Sequence, residues 1–457
     1  ALLPAIRAME RPAASSLFYT IYELLPNDTD VTVFKRAGLQ AVNFGAIGNV
    51  EYYHTPLDDL AHLDPRTLQH HGDNVLAVAR SLDRGLDRRP ENAVFFDVLN
   101  IGVVAWPERW TLWIALLSLA LLLLGGRNES WRALLIGAAL TVLCLVTAAA
   151  LAFVLVWLAH LRAGSFGRVA FPQPALIAMW LAGIAAALLA FALSRRHDRR
   201  GVYIGAGLIW HVLSVALSAS LPGTAFLFLL PAVGFTLSIV TRAPAVVAAL
   251  LPAVLAGTVF FPLTLFLYPA LGKTSLIAIA VIVAITSSTV VPMIDRLTFR
   301  FGAAVAATAV AAALTSLAFP TFTAGHPQRR PITHELEAST VHATAEKRGD
   351  VTVVRIVSER KADRVTLDFE DRVEVLRVNG TTPAPRNPGR VWRGGVTIHA
   401  SEAVVELRAA AGTEVVVSDL TYGLPDQARA EAENRDAAGA VTSHRGDVTV
   451  SRTKLRI

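Results

Sequence analysis

The segment Tyr53-His54-Thr55-Pro56-Leu57-Asp58 sets an imidazole four residues ahead of a carboxylate, in a polar stretch that follows the apolar run Leu39–Phe44. An imidazole held by an outer carboxylate is a common way to build a zinc ligand, so His54 is the candidate metal ligand and Asp58 its outer partner. A surface or core histidine is the ordinary alternative at this spacing. Two His-x-Asp pairs follow, His62-Leu63-Asp64 and His71-Gly72-Asp73. The second falls in an amphipathic stretch, where solvated or packed side chains are the ordinary reading. His211, beside Trp210, lies deep in apolar sequence. It is either a functional group or a histidine bonded to a neighbouring helix. The chain contains no Glu-Glu dipeptide, and its one cysteine, Cys144, excludes an intramolecular disulfide.

The elements that must position these groups fall into regions of different composition. Residues 1–90 are mixed, with helical periodicity over Ser15–Leu25 and Arg66–Leu82 and a predicted buried strand at Leu39–Phe44. Residues 91–109 read as a linker. Residues 110–320 are almost continuously apolar. From 321 to 457, β-branched and polar residues alternate, as in Val351–Val357, Arg364–Phe369, Arg372–Val378, Ala403–Leu407 and Glu414–Val417. With Asn379-Gly380 as a turn signal, that spacing predicts an antiparallel β-sandwich-like domain.

Charged residues make up 17% of the chain and hydrophobic ones 53%, with a mean hydropathy of +0.48. Soluble domains carry about 25% charged residues. Disorder and a disulfide-stapled scaffold are excluded, and a polytopic α-helical membrane protein is indicated. Eight transmembrane helices are predicted, over Trp110–Leu124, Trp131–Leu158, Pro174–Leu193, Gly201–Ser220, Ala225–Val240, Ala245–Tyr268, Thr274–Ile294 and Phe301–Phe319. Most have the ~20 apolar residues that a bilayer requires.

The net charge of +6 comes from 37 Arg and five Lys against 36 acidic residues. Many of the arginines sit in short loops, where membrane topology accounts for them and no nucleic-acid partner is implied. Loops after the odd-numbered spans carry Arg127, Arg132, Arg195, Arg196, Arg199, Arg200, Arg242, Arg296 and Arg300, whereas loops after the even-numbered ones carry Arg162, Arg168 and Lys273. The positive-inside rule puts the first set in the cytoplasm and both soluble ends outside, which an even number of spans also requires. The arginine-rich, Ala/Leu/Val-heavy composition suggests a bacterial inner membrane with periplasmic soluble parts. A vacuolar or endoplasmic-reticulum membrane with lumenal domains is the alternative.

The stretch from Asn27-Asp28-Thr29-Asp30 through Tyr53-His54-Thr55-Pro56-Leu57-Asp58 to Asn74 resembles the C-terminal end of the catalytic domain of family M28 zinc peptidases, in their membrane-bound branch. The resemblance implies that residues 1–90 are a remnant of an α/β peptidase domain and that the chain begins inside that domain. It also implies that His54 is the last zinc ligand and that Asp30 occupies a recurrent position ahead of the final strand. The branch places a multi-span bundle and an exoplasmic β-rich domain after the peptidase, which fits the layout here. Its activity implies a peptide substrate, aminopeptidase-type hydrolysis and two zinc ions. The family's other ligands are a His-x-Asp, a bridging Asp, a Glu-Glu pair and a further acid, and these precede the final histidine. No Glu-Glu is present, and both His-x-Asp pairs follow His54, so the chain is expected to be inactive alone. A transporter, or a non-catalytic membrane scaffold, is the alternative reading.

Overall fold

A computed structural model describes residues 2–24, 29–47, 52–85, 91–163, 170–294, 299–319, 328–382, 392–437, 440–443 and 446–457. The chain divides into two compact units, one of residues 1–50 with 60–321 and one of residues 51–59 with 322–457.

The first unit opens with four helices, α1 (Leu3–Arg7), α2 (Ser16–Leu24), α3 (Asp30–Arg36) and α4 (Pro65–Asp83). Residues 3.6 apart put Ala5 and Met9 on one face of the chain and Val78 and Leu82 on one face of α4. These faces close a small core with Val42 and Phe44. Leu39–Phe44, predicted as a strand, is irregular backbone, with Leu39 exposed. A strand is held by its neighbours' hydrogen bonds, and among the described residues no strand pairs with this segment. Asp30 is the first residue of α3, directly after the capping residue Thr29.

Residues 91–109, predicted as a linker, form an antiparallel hairpin of β1 (Ala93–Val98) and β2 (Gly102–Pro107). It is tied to the N-terminal residues by mutual bonds between Ala14 and Asp97 and by Ser16 Oγ, which takes the Phe95 N–H at 3.1 Å. Burial pushes the Asp97 carboxyl above its ordinary range. Phe96 on the opposite side of β1 stacks on Phe226 at 4.9 Å between ring centroids, and so docks the hairpin on the helices that follow.

Among the described residues, eight apolar α-helices occupy 111–315. They are α5 (Thr111–Gly125), α6 (Trp131–Ala163), α7 (Gln173–Phe191), α8 (Arg199–Ser220), α9 (Phe226–Val240), α10 (Ala245–Leu271), α11 (Leu276–Ser287) and α12 (Phe299–Thr315). Six segments are long and apolar enough to cross a membrane, by length and composition. One of them, Ala245–Met293, contains both α10 and α11, and α9 is shorter. Small residues bring the helices together. A Cβ on Gly137 would collide with the Val202 carbonyl, and one on Gly205 with the Leu134 carbonyl, so α6 and α8 touch backbone to backbone.

In the second unit the strands are β3 (Gln328–Arg329), β4 (Thr333–Glu335), β5 (Val341–Arg348), β6 (Val351–Ser358), β7 (Arg364–Val378), β8 (Trp392–Ile398), β9 (Glu402–Arg408), β10 (Glu414–Tyr422), β11 (Ala440–Val441) and β12 (Val448–Arg456), with α13 (Arg429–Ala437) before β11. The strand order β4-β12-β10-β7-β9-β6-β5 is antiparallel except for β4 on β12, while β8 also pairs with β7 and β3 pairs in parallel with β11. The two strands predicted at 364–369 and 372–378 are one. β7 pairs with β10 and β8 through its first half and with β9 through its second, shifting register between Phe369 and Val373. The alternating Val354 and Ile356, Leu367 and Phe369, Val405 and Leu407, and Val415 and Val417 all point into one core. Asp419, completely buried, accepts from Ser358, Thr340 and the Arg360 guanidinium, which meets it at 2.6 Å.

Candidate functional site

His54 lies in the first of two consecutive turns that share Thr55. The Thr55 N–H donates to the Tyr52 carbonyl at 3.0 Å and the Asp58 N–H to the Thr55 carbonyl at 3.1 Å. Thr55 is the buried member of the motif, and its hydroxyl donates to the Tyr52 carbonyl and accepts from the Leu57 N–H. His54 itself has φ of 60°, a left-handed backbone that costs a non-glycine residue roughly 1–2 kcal/mol. Its ring is exposed and stacks on Tyr53 at 3.8 Å. Asp58 reaches it through the backbone, accepting the His54 N–H at 3.3 Å. Thus the carboxylate four residues on helps hold the turn that presents the imidazole. The motif belongs to the unit of residues 51–59 and 322–457.

The two His-x-Asp pairs are engaged elsewhere. Asp64 caps α4, accepting the Arg66 N–H at 2.8 Å and pairing with its guanidinium at 2.7 Å. These contacts hold the Asp64 carboxyl below the usual range. Asp73 accepts from Gln69 one turn earlier at 2.6 Å, and the His71 ring packs near Phe44. Among the described residues no three His, Cys, Asp or Glu side chains converge as metal ligands. Zinc needs three or four protein ligands, so the residues placed around His54 do not by themselves fit the metal that the motif implies.

His211 proves to join three helices. Its Nδ1 lies 2.7 Å from the Gly207 carbonyl, which can only accept, so Nδ1 carries the proton and Nε2 accepts. Nε2 is 3.1 Å from Ser118 Oγ of α5 and 2.9 Å from Thr236 Oγ1 of α9, and those hydroxyls lie 2.9 Å apart. Sequence singled out the histidine but missed Ser118 and Thr236. A hydroxyl in an apolar helix carries no charge signal, and only its position on a facing helix reveals it.

The comparisons locate the relationship in the N-terminal segment. Residues 3–79 match the description of peptidase family M28. Endoplasmic reticulum metallopeptidase 1 of Homo sapiens is 31% identical over 113 residues, covering 23% of this chain and 12% of the human protein. Its Mus musculus counterpart is 30% identical over 113 residues, covering 23% of this chain and 13% of the mouse protein. The chain therefore aligns with only about an eighth of these relatives' own length. No solved structure matches it. The His54 turn lies inside the segment of residues 3–79 that matches peptidase family M28.

Proposed function

We propose that the chain is the membrane-embedded portion of a zinc-dependent exopeptidase of the aminopeptidase type, with His54 as one metal ligand and Asp58 fastening its turn. The single observation that carries this is the M28 match over residues 3–79, which contains the Tyr53-His54-Thr55-Pro56 turn. The remaining ligands are supplied by residues other than those described around His54, and no hydrolytic step is assigned to this chain's own side chains. The eight helices α5–α12 are read as eight crossings, with α10 and α11 dividing the 49-residue segment between them. Both soluble ends of the chain then lie on the non-cytoplasmic face, the periplasm in a bacterial inner membrane.

The test uses a polypeptide that carries this chain together with a complete M28 ligand set. It is expected to release the N-terminal residue of unblocked peptides, to leave N-acetylated ones intact, and to lose activity to a chelator. Cleavage of blocked and unblocked peptides at equal rates would contradict the aminopeptidase assignment. Activity indifferent to chelation would contradict the metal.

A further inference from the structure

We propose that a basic cavity at one end of the helix bundle binds the phosphate group of an anionic phospholipid. The cavity measures about 950 Å³ and is lined by the ends of α7 to α11. Four arginines frame it, namely Arg195, Arg199, Arg200 and Arg242, and Tyr203 and Ser238 also line it. Guanidinium groups in this number around one cavity suit a phosphate, whose oxygens accept paired N–H donors.

The nearby acids are already engaged. Asp198 accepts the Gly201 N–H at 2.6 Å as the cap of α8, and Glu129 pairs with Arg200 at 3.1 Å. Among the described residues no carboxylate pairs with the Arg242 guanidinium. Arg242 also occupies an unusual place. It ends α9 with φ of 53°, while the Ala243 N–H closes back on the Ser238 carbonyl at 3.0 Å. Such helix ends ordinarily carry glycine. Here the chain holds an arginine in left-handed backbone beside the cavity, a strain of the kind found at functional positions.

The wall favours a lipid over a free anion. Phe191, Ile239 and Met293 supply an apolar side, and Leu193 and Ile294 at the helix ends are exposed, as residues facing acyl chains are. Basic pockets between membrane helices are suited to phospholipid head groups. A positive loop alone would orient the bundle without a cavity, so the topological role of these arginines and the binding role are separable.

The test is native mass spectrometry of the full chain in detergent, with phosphatidylglycerol and phosphatidylcholine offered at equal concentration. The wild type is expected to retain phosphatidylglycerol preferentially. Arg199→Gln with Arg242→Gln should weaken that retention by about fivefold per arginine. Arg199→Lys with Arg242→Lys, which keeps the topological charge, should fall between. Arg127→Gln with Arg132→Gln, on the same basic face but outside the cavity, should leave retention within about twofold of wild type. Equal retention of the two lipids by the wild type would overturn the proposal without reference to any variant. So would an Arg127/Arg132 variant as weak as the cavity variant. Displacement of phosphatidylglycerol by inorganic phosphate at matched concentration would assign the cavity to a free anion and overturn the lipid assignment.

Discussion

His54 holds φ at 60° because its neighbours fasten the turn on both sides. Thr55 is buried with both hydroxyl valences used, and Asp58 accepts the His54 N–H. Asp58 therefore acts on the backbone, and an amide oxygen could take over that acceptor. Asp58→Asn in the M28-complete polypeptide is expected to lower kcat/KM by less than about 10-fold, and Asp58→Ala by about 10–100-fold, the range for a residue supporting a metal ligand. Steady-state kinetics on an aminoacyl arylamide distinguishes the two. Equal losses would place the carboxylate's charge, and not its acceptor, at the centre of its role. The sequence made His54 and Asp58 visible as a pair. That the carboxylate meets the backbone was not legible, because spacing gives proximity and says nothing of which atom is met.

The helices were readable because bilayer-length apolar runs leave the backbone no partner outside its own helix. Trp131–Leu158 was predicted and Trp131–Ala163 found, and Gly201–Ser220 became Arg199–Ser220. Elements that depend on a distant partner were read less well. Leu39–Phe44 has the composition of a strand but no paired neighbour among the described residues, and β7 was split because its register shift lies between two runs of alternation. The hairpin at 93–107 was hidden by its place between two dissimilar regions. At this scale Gly205→Leu is expected to separate α6 from α8, since its side chain would enter the Leu134 backbone. Overpacking of this kind costs about 1–3 kcal/mol or more. It should appear as a lower melting temperature of the detergent-solubilised chain, whereas Gly257→Ala, in open space, should not. In the β unit, burial raises the Asp447 carboxyl, but bonds from Arg435, the Ile332 N–H and Thr442 outweigh it and hold it below the usual range. A carboxyl lowered in the folded state contributes stability above its unfolded value, near 3.9, and loses it as pH falls through the folded value. Asp447→Asn should therefore destabilise this unit by about 1–3 kcal/mol at pH 7 and progressively less below pH 4. Equal destabilisation at pH 7 and pH 2 would contradict the ionic origin of the effect.

For the whole molecule, the positive-inside rule predicts an orientation. Nine basic residues fall in one set of loops and three in the other, and Arg195–Arg200 would each cost about 2.5–3.5 kcal/mol to draw to the centre of a bilayer. Alkaline phosphatase fused after Phe322 should be active in a bacterial host, and fused after Arg199 it should be silent. Reversed activities would invert the protein. The metal remains the centre of the account, and zinc stoichiometry of the M28-complete polypeptide tests it most directly. His54→Ala should lower bound zinc by about one ion per chain, while His71→Ala, packed near Phe44 on α4, should leave it unchanged. Full zinc content in the His54 variant, or equal loss in both, would contradict the assignment of His54 as a ligand.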